Sequence, residues 1–231
     1  MSDKNIPIIT LDGPSGTGKG TVCHMLAKHL GWHILDSGAI YRVLALAAQK
    51  HHTASDNITQ LVQLARTLDL RFSTDAVGTH TFLDNEEVSN QIRSEQCGQN
   101  ASRIAAIPEV REALIARQRA FAQPPGLVTD GRDMGTMIFP DALVKIYLHA
   151  DAQERARRRY LQLHASGKDV SLAQVVEELA KRDTRDTARA YAPLMAAKDA
   201  VKIDTTELSV EQVFSTVLKI VDERLQKRQL G

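Results

Sequence analysis

Asp12-Gly13-Pro14-Ser15-Gly16-Thr17-Gly18-Lys19-Gly20-Thr21 lies between a short apolar run, IPIITL (Ile6–Leu11), and a segment of helical periodicity. In that segment, Thr21–Leu30, the apolar residues Val22, Leu26 and Leu30 share a face, and Gly31 supplies the stop. Strand, glycine-rich loop and helix in this order have a definite chemical use. Glycines let a loop curl so that its backbone N–H groups point inward, and the helix N-terminus adds its dipole, so the concavity attracts anions. Gly13 to Lys19 fits the first seven positions of GxxxxGK[ST]. Lys19 brings a point charge suited to β- and γ-phosphates. The reading is a nucleoside triphosphate site built from Gly13, Pro14, Ser15, Gly16, Thr17, Gly18, Lys19, Gly20 and Thr21. At position 20 glycine replaces the hydroxyl residue that commonly meets magnesium, and Thr21 follows one residue later. Mg2+ is then expected to be held mainly through waters and the nucleotides, with Asp130 a water-mediated contact and no direct protein ligand assigned.

Working outward, the same apolar rhythm recurs. His33–Leu35, GLVTD (126–130), LVKIYL (143–148) and AVKID (200–204) read as further strands, separated by polar helical stretches. Several do not alternate, which suits strands covered on both faces. The expectation is a three-layer α/β/α fold on a parallel five-stranded sheet, the whole of 1–231 forming one phosphate-loop domain. Around Asp75–Gly78 two strand-like pieces resemble a hairpin, so Leu68–Ser94 reads as the core of a small insert. Helices are expected over Ile58–Leu68, from Pro108 to about Phe121, and over Val210–Leu225.

Composition narrows the function. The formal charge of +1 lacks the basic excess of a duplex-binding protein, and the one tryptophan, Trp32, offers no stacking platform. Cys23 and Cys97 are too few for a disulfide framework or a zinc site, and the histidines show no metal spacing. No apolar run reaches the length of about 20 residues that spans a bilayer, and the N-terminus lacks the features of a signal peptide. Neither nucleic acid nor membrane is expected as a partner, and the chain is expected in the cytoplasm.

A phosphoryl acceptor needs its own anion site, and arginine grips phosphate with a planar fork. Arg42 follows the second strand, Arg111 opens the Pro108 helix, and Arg132 lies at the carboxyl end of a strand, where ligands of open α/β sheets bind. Asp130 and Asp133 flank it, the first suited to magnesium-bound water, the second to a base amino group or sugar hydroxyl. ERARRRY carries Arg155, Arg157, Arg158 and Arg159; KRDTRDTAR carries Arg182, Arg185 and Arg189 at spacings that share one helical face. Between them, HASGKDVS with Gly167 reads as the tip of a lid, so that 155–189 forms the lid region. Lys19, Arg132, Arg158, Arg185 and Arg189 are the expected catalytic side chains. A kinase for another small acceptor, a GTPase-like switch and a nucleic-acid-binding regulator are the alternatives; the switch lacks an NKxD-type guanine-reading motif.

The stretches DGPSGTGKGT, LDSGAIYR, REALIARQRAF, DGRDMGT, VKIYLHADAQERARRR and KRDTRDTAR, in this order, resemble the bacterial cytidylate kinases over nearly the whole chain. The resemblance implies a P-loop kinase with a lid and an enlarged monophosphate-binding insert. It implies phosphoryl transfer from ATP to CMP or dCMP in a cytoplasmic, magnesium-dependent monomer. It implies an acceptor site of Ser37, Tyr41, Arg42, Ser102, Arg111, Arg132, Asp133, Arg182, Asp186 and Arg189, to which the reading above adds Asp130. Ser37, Asp133 and Arg182 would hold the cytosine, and Arg42, Arg132 and other arginines the α-phosphate.

Overall fold

A computed structural model describes residues 6–74 and 79–230. The chain divides into two compact units, one running to Leu35 and resuming at Arg119, the other Asp36–Gln118.

The first unit is built on a five-stranded sheet. Its strands are β1 (Ile8–Asp12), β2 (His33–Asp36), β6 (Leu127–Gly131), β7 (Val144–His149) and β8 (Val201–Asp204), in the order β2-β6-β1-β7-β8. β1 pairs in parallel with β6 and β7, and β7 with β8. The phosphate loop therefore leaves the middle strand, whose neighbours on either side arrive from later in the chain. β1 and β6 are buried almost throughout, as strands covered on both faces are. β7 departs from the sequence reading: Val144, Ile146 and Leu148 are buried, while Lys145, Tyr147 and His149 are half-buried. Lys145 covers the sheet with its aliphatic stem and pairs through Nζ with Asp199 at 2.9 Å.

Helices α1 (Lys19–Leu30) and α8 (Val210–Leu230) pack on this sheet. Val22, Leu26, Val213, Val217 and Val221 meet Ile9, Leu11, Ile146 and Leu148 in one core. Truncating a fully buried leucine such as Leu11 to alanine costs roughly 2–5 kcal/mol. α1 begins at Lys19, two residues before the expected Thr21, because Gly18 takes the left-handed cap at φ 86° and lets the helix open directly from the loop. Gly31 ends it at φ 65°, with Trp32 N–H returning to the Ala27 carbonyl at 2.9 Å.

Helices α6 (Ala152–Ala165) and α7 (Leu172–Thr187) form a hairpin with a core of its own, Ala156, Leu163, Val175 and Leu179. Ser171 and Gln174 close a capping box at the start of α7.

The second unit contains α2 (Ser37–Lys50), α3 (Ile58–Thr67), α4 (Glu95–Ile104) and most of α5 (Pro108–Arg119). Asp36, Asn57 and Ser94 cap the first three through side-chain acceptors. A three-stranded sheet completes it: β3 (Leu70–Thr74), β4 (Thr79–Leu83) and β5 (Glu86–Glu87). β3 and β4 are antiparallel, with Leu70 opposite Leu83. The turn expected at Asp75–Gly78 lies outside the described residues. The 68–94 stretch falls inside this unit, which extends beyond it on both sides. No helix of the described residues is long and apolar enough to cross a membrane.

Candidate active site

The loop between β1 and α1 is shaped by positions that exclude a side chain. Gly13 has φ 144°, and a Cβ there would stand 2.0 Å from the Leu148 carbonyl oxygen of β7. Gly16 has φ 84°, and a Cβ there would meet the backbone and Cβ of Arg155 at 2.8–3.1 Å. The loop is thus pressed between a sheet strand and the first turn of α6. Lys19 is 5% exposed; its Nζ donates to the Pro14 carbonyl at 2.6 Å and to Thr17 Oγ1 at 3.4 Å. Thr17 Oγ1 in turn donates to Pro14 O at 3.1 Å. Burial, helped by the Arg132 cation, lowers the Lys19 pKa to about 7. The lysine thus lies under the loop as a cation short of countercharge, which a polyphosphate would supply. Gly20 and Thr21 are exposed in the first turn of α1.

Asp12 ends β1 and is 4% exposed. Its carboxylate accepts the backbone N–H groups of Met134 and Gly135 at 2.9 and 2.7 Å. Burial raises its pKa to about 6 against the opposing pull of those two bonds. It fastens the segment carrying Arg132 and Asp133 to the foot of the loop. The sequence reading assigned it no role, because its amide partners lie 122 and 123 positions away.

Arg132 donates from Nη2 to Ser15 Oγ at 2.7 Å and from Nε to Asp186 Oδ2 at 2.9 Å. Asp186, 1% exposed, also accepts from Arg189 Nη2, and Arg182 Nε stands 4.0 Å away. Burial alone would raise its pKa; the guanidinium groups of Arg132, Arg189 and Arg182 outweigh burial and hold it below the usual carboxylate range. A single buried carboxylate thus gathers three of the expected arginines beside the loop. Asp130 is half-buried and exerts a favourable field on Lys19, and Asp133 is buried at 2% exposure.

The arginines of α6 take separate paths. Arg155, 8% exposed and assigned no individual role from the sequence, reaches the loop: Nη1 donates to the Ser15 carbonyl at 3.2 Å and to Asp183 Oδ2 at 2.5 Å. Arg158 is held by Glu154 and by the Thr205, Thr206 and Leu208 carbonyls. Arg157 is exposed and pairs with Glu154. Arg185 is half-buried on α7.

Within Asp36–Gln118, Ser37 opens α2 and is 3% exposed; its hydroxyl donates to Gln118 Oε1 at 2.7 Å. Arg111, also 3% exposed, donates to the Ala105 carbonyl at 3.0 Å and faces the Tyr41 ring at 5.4 Å. Arg42 donates to the Ile92 carbonyl at 2.8 Å, and Ser102 is buried on α4. Gln118 was not anticipated. The signal for it was present: it continues the buried stripe of Val110 and Leu114 at four-residue steps, where a polar side chain is out of place.

Magnesium prefers oxygen ligands and keeps several waters. Among the described residues no group of three His, Cys, Asp or Glu side chains is placed to hold a metal. Asp12 is engaged by the Met134 and Gly135 amides, and Asp130 stands half-buried near the end of β6, a carboxylate whose chemistry suits a water-clad ion. The donor set fits magnesium carried chiefly by phosphates and water.

A glycine loop between strand and helix, a lysine buried under it and arginines gathered beside it define a P-loop phosphotransferase. The cytidylate kinase family model matches residues 9–223, and this chain belongs to that family. It is 54% identical over 219 residues to the cytidylate kinase of Aeromonas salmonicida, covering 95% of each chain. It is 56% identical over 214 residues to that of Pseudomonas syringae pv. tomato, covering 92% of this chain and 93% of the relative. A crystal structure of an uncharacterized protein from Eubacterium ventriosum shares the fold, with a TM-score of 0.50 at 14% identity over 95% of this chain and 99% of that one.

Proposed function

We infer that the chain transfers the γ-phosphoryl group of ATP to CMP or dCMP, giving ADP and CDP or dCDP. The observation that carries this reading is the family match over 9–223, on a chain whose buried Lys19 and Asp186-bound arginines lie at the phosphate loop.

The acceptor phosphate is already a nucleophile near neutral pH, so positioning and charge stabilisation do most of the work and no general base is assigned. The loop amides and Lys19 bind the ATP phosphates. Arg132, Arg185 and Arg189 offset the charge of the transferring group, with Arg42 on the α-phosphate of CMP. Arg158 is proposed with them, although its carbonyl contacts must be exchanged for it to reach phosphate. Ser37, Asp133 and Arg182 hold the cytosine; Tyr41, Ser102, Arg111 and Asp186 complete the acceptor contacts. Asp130 and the nucleotides would hold Mg2+ through water, and the ion would supply positive charge that offsets the phosphates. The 68–94 stretch serves as core of the monophosphate-binding insert and 155–189 as the lid, whose closure excludes water. The protein acts as a monomer.

An ATP-consumption assay across CMP, dCMP, UMP, AMP and GMP tests the reading. CMP and dCMP should be turned over far faster than the purine monophosphates; comparable rates on all would refute it.

A further inference from the structure

The geometry points to Gln118 as a specificity-determining residue that reads the base indirectly, by fixing the direction of the Ser37 hydroxyl proton. The inference rests on the reading of Ser37 as a cytosine contact. Gln118 is fully buried, and Ser37 is 3% exposed. The Ser37 hydroxyl spends its one proton on Gln118 Oε1 at 2.7 Å. A serine hydroxyl has one donor and two acceptor lone pairs. With the proton committed, Ser37 Oγ presents lone pairs alone to a bound base.

Cytosine and uracil differ at the position such an oxygen would read. Cytosine carries an exocyclic amino group, a donor; uracil carries a carbonyl oxygen, an acceptor. An Oγ locked as an acceptor receives the amino N–H and confronts the carbonyl with another acceptor. A free serine would rotate and donate to uracil, accommodating both bases. Discrimination thus requires the second residue, because serine alone is ambivalent. A second observation marks the pocket as one built for more than packing. The other end of the same amide, Gln118 Nε2, is buried and has no hydrogen-bond partner among the described residues. A buried amide with one half unpaired is costly in a position where leucine would fit the Val110–Leu114 stripe.

Gln118 is a positioning residue here, and its test must separate direction from packing. Gln118→Met keeps the volume and removes the acceptor; Gln118→Glu keeps an acceptor. We compare kcat/KM for CMP and UMP in wild type, both variants, Ser37→Ala and the Ser37→Ala/Gln118→Met double variant, with circular dichroism to confirm folding. Gln118→Met should lower the CMP/UMP ratio by about tenfold or more, mainly through KM, with UMP gaining or losing least. Gln118→Glu should retain the ratio within about threefold. In the Ser37→Ala background Gln118→Met should change the ratio no further, since the effect passes through Ser37. Where the Met variant does not fold, Gln118→Asn withdraws the amide by one methylene and should lower the ratio in the same way. A ratio lowered by Ser37→Ala but unmoved by Gln118→Met, or moved equally in both backgrounds, overturns the inference and leaves Ser37 as a base contact. A ratio unmoved by Ser37→Ala removes Ser37 from the base and overturns the inference with it.

Discussion

Replacing Lys19 by methionine should stabilise the nucleotide-free protein while abolishing most of its activity. The ammonium is 5% exposed, and burial with Arg132 nearby lowers its pKa from 10.5 to about 7. At about 1.36 kcal/mol per pKa unit, keeping this cation in the empty site costs on the order of 5 kcal/mol below pH 7. The folded pKa lies below the unfolded one, so between roughly pH 7 and 10 the unfolded chain binds the extra proton. Wild-type stability therefore rises with pH through that window as the penalty disappears. Methionine removes the penalty together with the hydrogen bonds to Pro14 O and Thr17 Oγ1, each worth about 1 kcal/mol. Lys19→Met should then exceed wild type by roughly 2–3 kcal/mol at pH 6, with the gap closing and slightly reversing by about pH 10. Urea unfolding at several pH values gives the difference directly. Turnover should fall by roughly 100-fold or more, as when one strong transition-state contact is lost. A variant less stable than wild type at pH 6, or a gap that does not change with pH, would refute the reasoning.

Asp186→Asn keeps the shape of the residue that gathers Arg132, Arg189 and Arg182 but removes its charge. Breaking buried pairs of this kind costs about 3–5 kcal/mol, so a clear drop in the urea midpoint should accompany a lower kcat/KM for CMP; an unchanged midpoint would deny the carboxylate its organising part. Gly16→Ala combines a left-handed φ of 84° with a Cβ pressed on Arg155, so the loop must shift and KM for ATP should rise by about tenfold or more. Near-normal ATP kinetics in that variant would show that the loop tolerates displacement.

The fold was legible where its determinants are local. Strand, glycine loop and helix are contiguous, and the helix punctuation at Gly31 and Pro108 acts within a turn. The site was legible as a set of residue types, less so as an arrangement. Arg155, Arg157 and Arg158 are alike in the sequence, yet one reaches the phosphate loop, one faces solvent and one grips the carbonyls after β8. Only the register of α6 separates them: Arg155 is buried with Ala156 and Leu163, and Arg157 and Arg158 lie outside that set. Asp12 and Gln118 escaped for a related reason. Their partners, at positions 134–135 and 37, are distant in sequence; the buried stripe marks Gln118 as out of place but does not say that its amide meets a hydroxyl.

The hairpin of α6 and α7 has mechanical properties of a lever. Its own apolar core joins the two helices into one arm, and Arg155, tied to Ser15 O and Asp183, fixes the base of that arm against the phosphate loop. From Arg155 to the end of α6 at Ala165 is ten residue steps, so at about 1.5 Å per residue the arm beyond the fulcrum is about 15 Å long. A tilt of about 10° at the fulcrum would carry the far end by roughly 3 Å. On this geometry a tilt at Arg155 would displace Gly167 more than Ser15, and a force applied at Gly167 would act on Ser15 as torque.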